Sequence, residues 1–405
     1  MDFIIDQKKL FQALDAVSDV VPSKTAIPVL SHLLLEAFSE KSTDGKITIS
    51  ATDLDISITT SVPAVVEEPG RITIPARKFV DIIRELPEGP ISIKAKDNKV
   101  VISSGGGGGK GEEFEASDRP LQPGQGLYVL MGLTPEDYPE LPSEIEGVLL
   151  PFGENGNLES NLLNEMISKT YFAVSKDETR PVLNGVLCQI RPDGIILVAT
   201  DGHRLVRHFK AVDLKKYLQG KDRVEAIIPP RALQHLLKLL SGENVLDRCV
   251  LSSNHILFDL KHTKLFSRLI EGPYVDFEQV IPQNNANRAS ISNSALTPSV
   301  RRVSILSNTQ TRQIRIHLKK NEIELSATSQ DVGGEARESI QADYNGTPME
   351  IGYNSLYLLD ILKRIDSEEV LFELNTPVTA GIVRPAVQPE GEDYLCLLMP
   401  LRLSE

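Results

Sequence analysis

The chain has 405 residues, of which 41% are hydrophobic and 24% are charged, proportions that are ordinary for a globular protein of several domains. Its formal net charge of −13 at pH 7 argues against a protein that holds nucleic acid by bulk attraction, because such binding needs clustered Lys and Arg. No run approaches the roughly 18 consecutive apolar residues of a membrane-spanning helix.

The first part of the sequence predicts a helix, a set of short strands and a second helix. Apolar residues recur at helical spacing over 10–21, and an alternating strand at 47–50 ends in the string Ala-Thr-Asp at 51–53. A second string, Ile-Pro-Ala-Arg-Lys-Phe at 74–79, leads into another helical stretch over 79–86. Short alternating strands follow, so this segment is predicted to be an α+β unit.

A glycine-rich segment, 105–126, interrupts this pattern. Glycines at 105–109 precede Lys110, an arrangement that could suggest a phosphate-binding loop. That motif requires a glycine where this chain has Ser104, a Ser or Thr where it has Gly111, and a helix afterwards, which the sequence does not predict. We therefore expect the segment to be a mobile hairpin loop and not a nucleotide site.

The same order of elements occurs twice more. Ala-Thr-Asp returns at 199–201 and, as Ala-Thr-Ser, at 327–329, each time at the end of an apolar strand. A counterpart of the second string follows each copy at 228–233 and 351–356. Helical spacing precedes and follows these strings, over 162–167, 233–240, 300–306 and 358–365. The chain is therefore predicted to contain three copies of one unit, each with two helices and about seven or eight short strands.

The spacing of the copies indicates that each is a domain. A repeat of well over about 100 residues is too long for a solenoid, so each copy needs its own core. Stretches that contain Pro151 and Pro282 separate the copies. We therefore predict three domains: 1–150, which includes the glycine-rich insert, 151–282, and 283–405.

The best candidate for catalysis is the segment 200–205, which carries Asp201 and His203. These side chains could act as an acid and a base, or as metal ligands. Asp201 and Gly202, however, directly end a strand and favour a turn, and Asp53 repeats the position in a copy without histidine. The sequence has no metal-binding spacing of His or Cys and no nucleophile elbow. We expect a protein without enzymatic activity, metal or cofactor.

Four motifs carry a family resemblance: Ala-Thr-Asp-Gly-His-Arg-Leu at 199–205, Arg-Pro-Val-Leu-Asn-Gly at 180–185, Ile-Pro-Ala-Arg-Lys-Phe at 74–79, and Met-Pro-Leu-Arg-Leu at 399–403. Together they resemble the bacterial DNA polymerase III beta subunit, the beta sliding clamp family. The resemblance covers 1–403 apart from the insert. It implies three repeated clamp domains, each with two helices packed on antiparallel sheets, and a head-to-tail homodimer that forms a six-domain ring.

The resemblance also implies a function. A clamp of this family encircles double-stranded DNA and tethers the DNA polymerase III catalytic subunit, the clamp loader and other replication and repair proteins through short linear peptides. Retention by encirclement needs little affinity, so the negative net charge does not conflict with a DNA role. The acidic N-terminus is unlike a signal peptide, and Cys188, Cys249 and Cys396 are expected to be buried free thiols, so we expect a cytoplasmic protein.

The resemblance assigns residues to three surfaces. The partner-peptide pocket, between the second and third domains, would comprise Leu183, Thr200, Gly202, His203, Arg204, Leu205, Val280, Asn354, Tyr357, Val378, Leu397, Leu398, Met399, Pro400, Leu401, Arg402 and Leu403. The DNA-facing surface would include Lys24, Arg77, Lys78, Arg180 and Arg231, although each of these equally fits a solvated surface charge. The dimer contact would join Tyr128 and Leu130 of one chain to Ile305 and Leu306 of the other.

The chain departs from the family pattern at part of the pocket rim. Val275 stands where a Pro often precedes the aspartate of the turn, Gln279 where an Arg is common, and Thr311 where the residue can be aromatic. The preference for partner peptides is therefore expected to differ.

Two other functions remain open. The first is a scaffold of the same fold that mainly recruits repair or other proteins, with DNA tethering secondary. The second is an acidic metabolic enzyme, which would need a polar pocket with paired titratable groups.

Overall fold

The computed structural model describes residues 1–39, 45–105, 121, 123–153, 156, 158–242, 244–329 and 333–403. The chain divides into two compact units: unit 1 comprises 1–161 and 234–268, and unit 2 comprises 162–233 and 269–405. Both units combine helices with antiparallel sheets, as the predicted α+β class requires. Most of the glycine-rich insert predicted at 105–126 lies outside the described residues.

Helices form at all six places where the sequence predicts them. Within the described ranges their bounds are α1 Gln7–Ser18, α2 Ala76–Glu85, α3 Leu162–Thr170, α4 Pro230–Leu240, α5 Asn293–Val303 and α6 Ser355–Leu362. In α1, Leu10, Leu14 and Val17 are buried, which explains the apolar spacing. None of the helices in the described part of the chain is long and apolar enough to cross a membrane.

Strands make up most of the remaining regular structure, beside a few short helical turns. In the described ranges their bounds are β1 Asp2–Asp6, β2 His32–Ser39, β3 Gly45–Thr52, β4 Ile56–Glu68, β5 Gly70–Pro75, β6 Pro90–Lys96, β7 Lys99–Ser104, β8 Gly126–Met131, β9 Val148–Pro151, β10 Val186–Arg191, β11 Gly194–Thr200, β12 Arg204–Ala211, β13 Val224–Ile228, β14 Arg248–Leu251, β15 His255–Asp259, β16 Thr263–Arg268, β17 Asn287–Ser292, β18 Gln313–Lys319, β19 Glu322–Ser329, β20 Gly334–Gln341, β21 Asp343–Tyr344, β22 Met349–Asn354, β23 Glu369–Leu374, β24 Gly381–Pro385 and β25 Glu392–Leu398.

Unit 1 is organised around the long strand β4. Its main sheet has the order β8-β7-β6-β1-β4-β16-β15-β14-β9, and β3, β2 and β5 continue from β4 along a second path. One half of β4 pairs with β1, and the other half pairs with β3 and β16. A single strand therefore links the first predicted repeat to strands of the second.

Unit 2 also joins strands of two predicted repeats, and it has two sheets. The larger has the order β13-β10-β11-β12-β25-β24-β23-β17-β21, and the smaller has the order β20-β19-β18-β22. Strand β12 of the second predicted repeat pairs with β25 of the third over seven residue pairs, from Arg204 opposite Leu398 to Lys210 opposite Glu392. This pairing places the end of the chain against the central segment 200–205.

The Ala-Thr-Asp strings form the same turn in both units. In unit 1, Thr52 Oγ1 donates to the carbonyl of Ile56 and accepts from the amide of Leu54, while Asp53 Oδ1 accepts from the amides of Asp55 and Ile56. Leu54 adopts a φ of 82° there. The aspartate therefore satisfies backbone amides, as predicted.

In unit 2 the equivalent bonds recur with different residues. Thr200 Oγ1 donates to the carbonyl of Arg204 and accepts from the amide of Gly202, and Asp201 Oδ1 accepts from the amides of His203 and Arg204. Gly202 has a φ of 88°, which a glycine adopts without the strain that Leu54 bears. The turn is a structural feature of the repeat.

All three cysteines are buried, and none of them is in a disulfide, as predicted. Burial raises the pKa of the Cys188 and Cys396 thiols to about 12, because the thiolate would lose its hydration. Both thiols are therefore protonated at neutral pH.

Strands β12 and β25 also hold a buried charged cluster. His208 lies opposite Tyr394, and its Nε2 is 2.9 Å from Glu392 Oε1. Lys169 of α3 is 3.7 Å from the same oxygen, and Lys210 is 3.3 Å from the other carboxylate oxygen. The side chains of His208 and Glu392 are almost fully buried. Residues of two predicted repeats thus share one ionic network.

Burial controls the protonation of His208. The pKa of His208 lies below its usual value because burial penalises the imidazolium, although Glu392 opposes this effect. Its Nδ1 has no hydrogen-bond partner among the described residues, so a proton there would stay unsatisfied. Burial also works against ionisation of Glu392, but its cationic neighbours outweigh it and lower the pKa of that carboxyl. A neutral His208 beside an ionised Glu392 is therefore the state near neutral pH.

Acidification should destabilise the fold through His208. The unfolded chain, in which the pKa of a histidine is about 6.5, takes up the proton before the folded chain does. The contribution is present above about pH 6.5 and is lost as the pH falls towards the folded-state pKa. Urea denaturation at about pH 7.5 and about pH 5.5 should show a smaller loss in His208→Gln than in the unchanged protein. The exposed His262→Gln serves as the control, and equal losses in all three proteins would contradict the prediction.

Candidate functional site

Arg204 holds the turn after β11 against helix α6. Its side chain is only 9% exposed. Nε donates to Asp201 Oδ2 at 3.1 Å, one terminal nitrogen donates to Asp360 Oδ2 at 2.9 Å, and the other donates to the carbonyl of Phe172 at 2.9 Å. These bonds join the second repeat to α6 of the third. Because its donors are engaged in this way, Arg204 positions the segment 200–205.

Two aromatic rings complete the surroundings of Arg204. Its guanidinium lies 4.4 Å from the ring centroid of Tyr357 and 5.2 Å from that of Phe172. On the outer side, the exposed ring of His203 stacks on Tyr357 with centroids 6.4 Å apart and an interplanar angle of 22°. Tyr357 therefore connects the buried arginine to a surface-exposed histidine.

The C-terminal segment closes the site from the other side. The amide of Met399 donates to the carbonyl of His203 at 2.9 Å, and the amide of Leu401 donates to the carbonyl of Gly352 at 2.8 Å. A Cβ at Gly352 would lie 2.8 Å from Leu401 O, so this close approach favours glycine. Asn354 then caps α6 by accepting from the amides of its first turn. The segment 399–403 is thereby fixed along β22.

An apolar cluster forms the floor beside these polar contacts. Leu205 of β12 lies opposite Leu397 of β25, and both belong to one buried cluster. Its other buried members are Leu187, Ile196, Val198, Ile227 and Phe277. Partly buried side chains pack against it: Val182, Phe209, Ile270, Tyr274, Ile281 and Ala380. Of this floor the sequence analysis named only Leu205 and Leu397; strand alternation from Thr200 could also have indicated Ile196 and Val198.

Exposed apolar side chains lie close in sequence to members of this floor: Val280 precedes Ile281, Val378 is two residues before Ala380, and Met399 is two residues after Leu397. Val280 is 54% exposed, Val378 is 70% exposed and Met399 is 42% exposed. Leu183 is buried in the short helical turn Pro181–Asn184, next in sequence to Val182 of the cluster. The predicted pocket residues thus all belong to unit 2, with Leu205, Leu397 and Leu398 buried and the segment after Met399 partly exposed.

The three departures from the family pattern all lie on the surface. Val275 is an exposed apolar residue, and Gln279 Nε2 donates to Asp276 Oδ2 at 2.7 Å. Thr311 is exposed, and its amide donates to Asn308 Oδ1 at 3.0 Å. Each change alters the surface without disturbing the floor.

The predicted DNA-facing residues are all exposed. Arg77 and Lys78 lie in the first turn of α2, and Arg231 lies in the first turn of α4, where neither helix has an acidic residue. Helix N-termini already carry positive potential, so cations there reinforce a local field that attracts phosphates. Arg180 pairs with Asp177 at 2.9 Å, and Lys24 lies beyond the end of α1.

The residues predicted for the dimer contact lie at sheet margins. Tyr128 and Leu130 belong to β8, the outermost strand at one end of the main sheet of unit 1. In unit 2, Ile305 is 75% exposed and follows α5 in a short helical turn, and Leu306 packs against Gly334 at the start of β20. Strand β20 is likewise outermost in its sheet. Outermost strands of this kind offer unpaired backbone groups to another chain.

The site is built for binding an extended segment. An apolar floor can take aliphatic or aromatic side chains, Met399 can adapt to their shape, and the exposed His203 can meet polar groups. Among the described residues, no three His, Cys, Asp or Glu side chains are arranged to hold a metal ion.

Three family models match successive parts of the chain. The DNA polymerase III beta subunit N-terminal domain matches 1–142, the central domain matches 157–276, and the C-terminal domain matches 278–402.

Individual relatives match over their whole length. The beta sliding clamp of Pseudomonas aeruginosa is 30% identical over 407 residues, and that of Chlamydia muridarum is 29% identical over 405 residues, with all of both chains covered in each case. Among solved structures, the sliding clamp of Bartonella birtlesii bound to griselimycin has a TM-score of 0.86 at 30% identity, with both chains fully covered. That of Pseudomonas aeruginosa bound to griselimycin has a TM-score of 0.85 at 28% identity, again with full coverage of both.

Proposed function

Because the chain belongs to the DNA polymerase III beta subunit family, we propose that it is a DNA sliding clamp that encircles duplex DNA and gives the replicative polymerase its processivity. The observation that carries this conclusion is the succession of three family domains along one chain, from residue 1 to residue 402. The clamp performs no chemistry, and its partners supply the catalysis. Replication of chromosomal DNA places it in the cytoplasm.

The three repeats form the units of the ring. We assign them to 1–150, 151–282 and 283–405. The first boundary falls in the gap between the family matches 1–142 and 157–276, and the second lies a few residues inside the match that begins at 278. Two chains joined head to tail bring six such repeats into a closed ring. The net charge of −13 fits this arrangement, since a threaded ring needs only weak phosphate contacts and tight binding would hinder sliding. Arg77, Lys78 and Arg231 at helix starts, with Lys24 and Arg180, supply those contacts.

Partner proteins dock on unit 2. The floor around Leu205 and Leu397, with Leu183, Val280, Val378 and the segment 397–403, accepts apolar side chains of a short linear peptide. His203, Asn354 and Tyr357 border the floor with polar groups. The polymerase catalytic subunit, the clamp loader and other replication and repair proteins share this site, so the clamp tethers one at a time per chain.

The ring closes between β8 of one chain and the region of β20 of the other. The exposed Tyr128 and its neighbour Leu130 on the first chain meet Ile305 and Leu306 on the second. Two outermost strands at this contact can continue one sheet across the chains, and Ile305 supplies apolar area that would otherwise face water.

Encirclement predicts retention that depends on the shape of the DNA. Clamps loaded by a clamp loader onto nicked circular DNA should remain bound in about 0.5 M NaCl, because salt weakens phosphate contacts but does not open a ring. Cutting the circle should release them. Gel filtration before and after the cut measures this, and release by salt alone would favour the scaffold function instead.

Peptide capture should depend on exposed floor and rim side chains. Met399→Ala removes an adaptable apolar side chain and should weaken binding of griselimycin about tenfold, with dimerisation unchanged. Leu183→Ala should weaken it similarly, with some loss of stability because Leu183 is buried. Isothermal titration beside gel filtration measures both effects. Val387→Ala, an exposed aliphatic residue outside the pocket, is the control, and an equal effect there would contradict the assignment.

The proposed ring contact should be sensitive to charge at Ile305. Ile305→Asp places an ionised group in an apolar contact and should raise the dimer dissociation constant at least about a hundredfold. Sedimentation velocity over a concentration series gives that constant. Val387→Asp introduces the same charge on another exposed aliphatic residue and should leave it unchanged. An unaltered dimer in Ile305→Asp would place the contact elsewhere.

A further inference from the structure

The hairpin that carries the pocket floor occurs once in every repeat. It is β3–β4 in the first repeat, which lies in unit 1. It is β11–β12 in the second repeat and β19–β20 in the third, and both of these hairpins lie in unit 2. The shared turn fixes the alignment, since Thr52 and Thr200 make the same hydrogen bonds. From these two residues, positions along the first two hairpins correspond one to one, with the same cross-strand partners.

The hairpin face in unit 1 consists of hydroxyl residues. Alternate positions on β3 and β4 are Thr48, Ser50, Thr52, Ser57, Thr59 and Ser61. Cross-strand neighbours bond to each other, with 3.2 Å between the hydroxyls of Thr48 and Ser61 and 3.0 Å between those of Ser50 and Thr59. Several of these residues line a cleft of about 800 Å³. The unit 1 cleft is therefore open but has a polar floor.

The corresponding face in unit 2 is mainly apolar. The same six positions are Ile196, Val198, Thr200, Leu205, Arg207 and Phe209. Ile196, Val198 and Leu205 belong to the buried cluster of the pocket, and Phe209 packs against it. Four positions thus change from hydroxyl to apolar: Ile196 for Thr48, Val198 for Ser50, Leu205 for Ser57, and Phe209 for Ser61.

The apolar parts of the walls around the two faces are alike, and charged side chains such as Glu36, Arg71 and Lys264 also line the unit 1 cleft. In unit 1, Leu34 and Tyr138 form a buried cluster with Leu133 and Leu141 packed against it. In unit 2, Leu187 and Phe277 of the buried cluster are joined by the partly buried Ile270 and Ile281. An isolated bridge even joins Thr73 to Leu133 in unit 1, as one joins Ile227 to Ile270 in unit 2. The apolar walls therefore cannot explain a difference between the two clefts.

The third hairpin presents a charged face. Its six positions are Glu324, Ser326, Thr328, Glu335, Arg337 and Ser339. Glu324 pairs there with Lys319 at 2.6 Å. Only one of the three hairpins thus offers an apolar floor.

We infer that the side chains at Ile196, Val198, Leu205 and Phe209 are the specificity determinants that confine partner-peptide capture to unit 2. Their hydroxyl counterparts prevent the same ligand from binding in the unit 1 cleft. This inference rests on the proposed function, since it concerns the same peptide site. An apolar ligand placed on the unit 1 floor would cover the half-exposed hydroxyls of Thr48, Thr59 and Ser61 without offering them hydrogen bonds. On the unit 2 floor the same ligand would meet the half-buried Phe209 above a buried apolar layer, where no such hydroxyls have to be covered.

Transfer of the four side chains tests the inference. The variant Thr48→Ile, Ser50→Val, Ser57→Leu and Ser61→Phe gives unit 1 the floor of unit 2. Isothermal titration with griselimycin should give about one binding event per chain in the unchanged protein and a second event in the variant. The control, Thr48→Ser with Ser50→Thr, Ser57→Thr and Ser61→Thr, keeps the hydroxyl floor and should bind as the unchanged protein does.

The reverse change supplies the second half of the test. Leu205→Ser should weaken griselimycin binding at least about tenfold. If this variant is too unstable to measure, Phe209→Ser, at a half-buried position, replaces it in the test and should weaken binding to a similar extent. A four-residue variant that still binds once, or wild-type affinity in the serine variant, overturns the inference. If the unchanged protein itself fails to bind griselimycin, the proposed peptide site is contradicted as well. That result distinguishes failure of the proposed function from failure of this inference alone.

Discussion

The pairing of β12 with β25 is the constraint on which the proposed binding site depends. It joins residues almost 200 positions apart, and from it follow the opposition of Leu205 and Leu397, the bond between Met399 and His203, and the buried pair of His208 and Glu392. One register places apolar residues at the end that becomes the pocket and ionic residues at the other. A shift of one residue would turn every side chain of β25 to the opposite face, so the pocket and the ionic network specify the register together.

Local features of this fold follow from the sequence, whereas contacts between repeats do not. Apolar spacing gave all six helices, and recurrence of Ala-Thr-Asp gave the repeat and the role of Asp53 and Asp201 as turn formers. Nothing in the periodicity of β12 selects β25 as its neighbour, because several strands have equally suitable apolar runs. For the same reason the floor residues Phe277 and Ile270, and the partners of Arg204 at Phe172 and Asp360, emerge only once the repeats are packed.

The chain has a negative net charge but carries local clusters of positive charge. The net charge of −13 keeps the protein from adhering to nucleic acid at random, while Arg77, Lys78 and Arg231 concentrate positive charge at helix starts that lack acids. A protein that grips DNA needs many such sites to act together. A ring of the sliding clamp family needs only enough to centre the duplex, because its closure prevents escape. Composition alone therefore misleads about DNA binding in this family, and the placement of a few cations is more informative.

Triplication of one repeat explains how a single chain can form a uniform segment of the ring and still bind partner peptides at only one of its repeats. The turn bonds of Thr52 and Thr200 preserve the backbone, so the alternating side chains of each hairpin are free to diverge without altering the strand pairing. Hydroxyls in unit 1, aliphatic and aromatic residues in unit 2 and charges in the third repeat are three solutions on one scaffold. Hydroxyls that bond across the strands satisfy one another, so unit 1 keeps an open cleft without an exposed apolar patch that would invite aggregation. An apolar floor carries this risk of aggregation, and the chain has such a floor only where partners cover it. Selectivity thus arises from side chains on one face of one hairpin, while the ring architecture depends on what all three hairpins share.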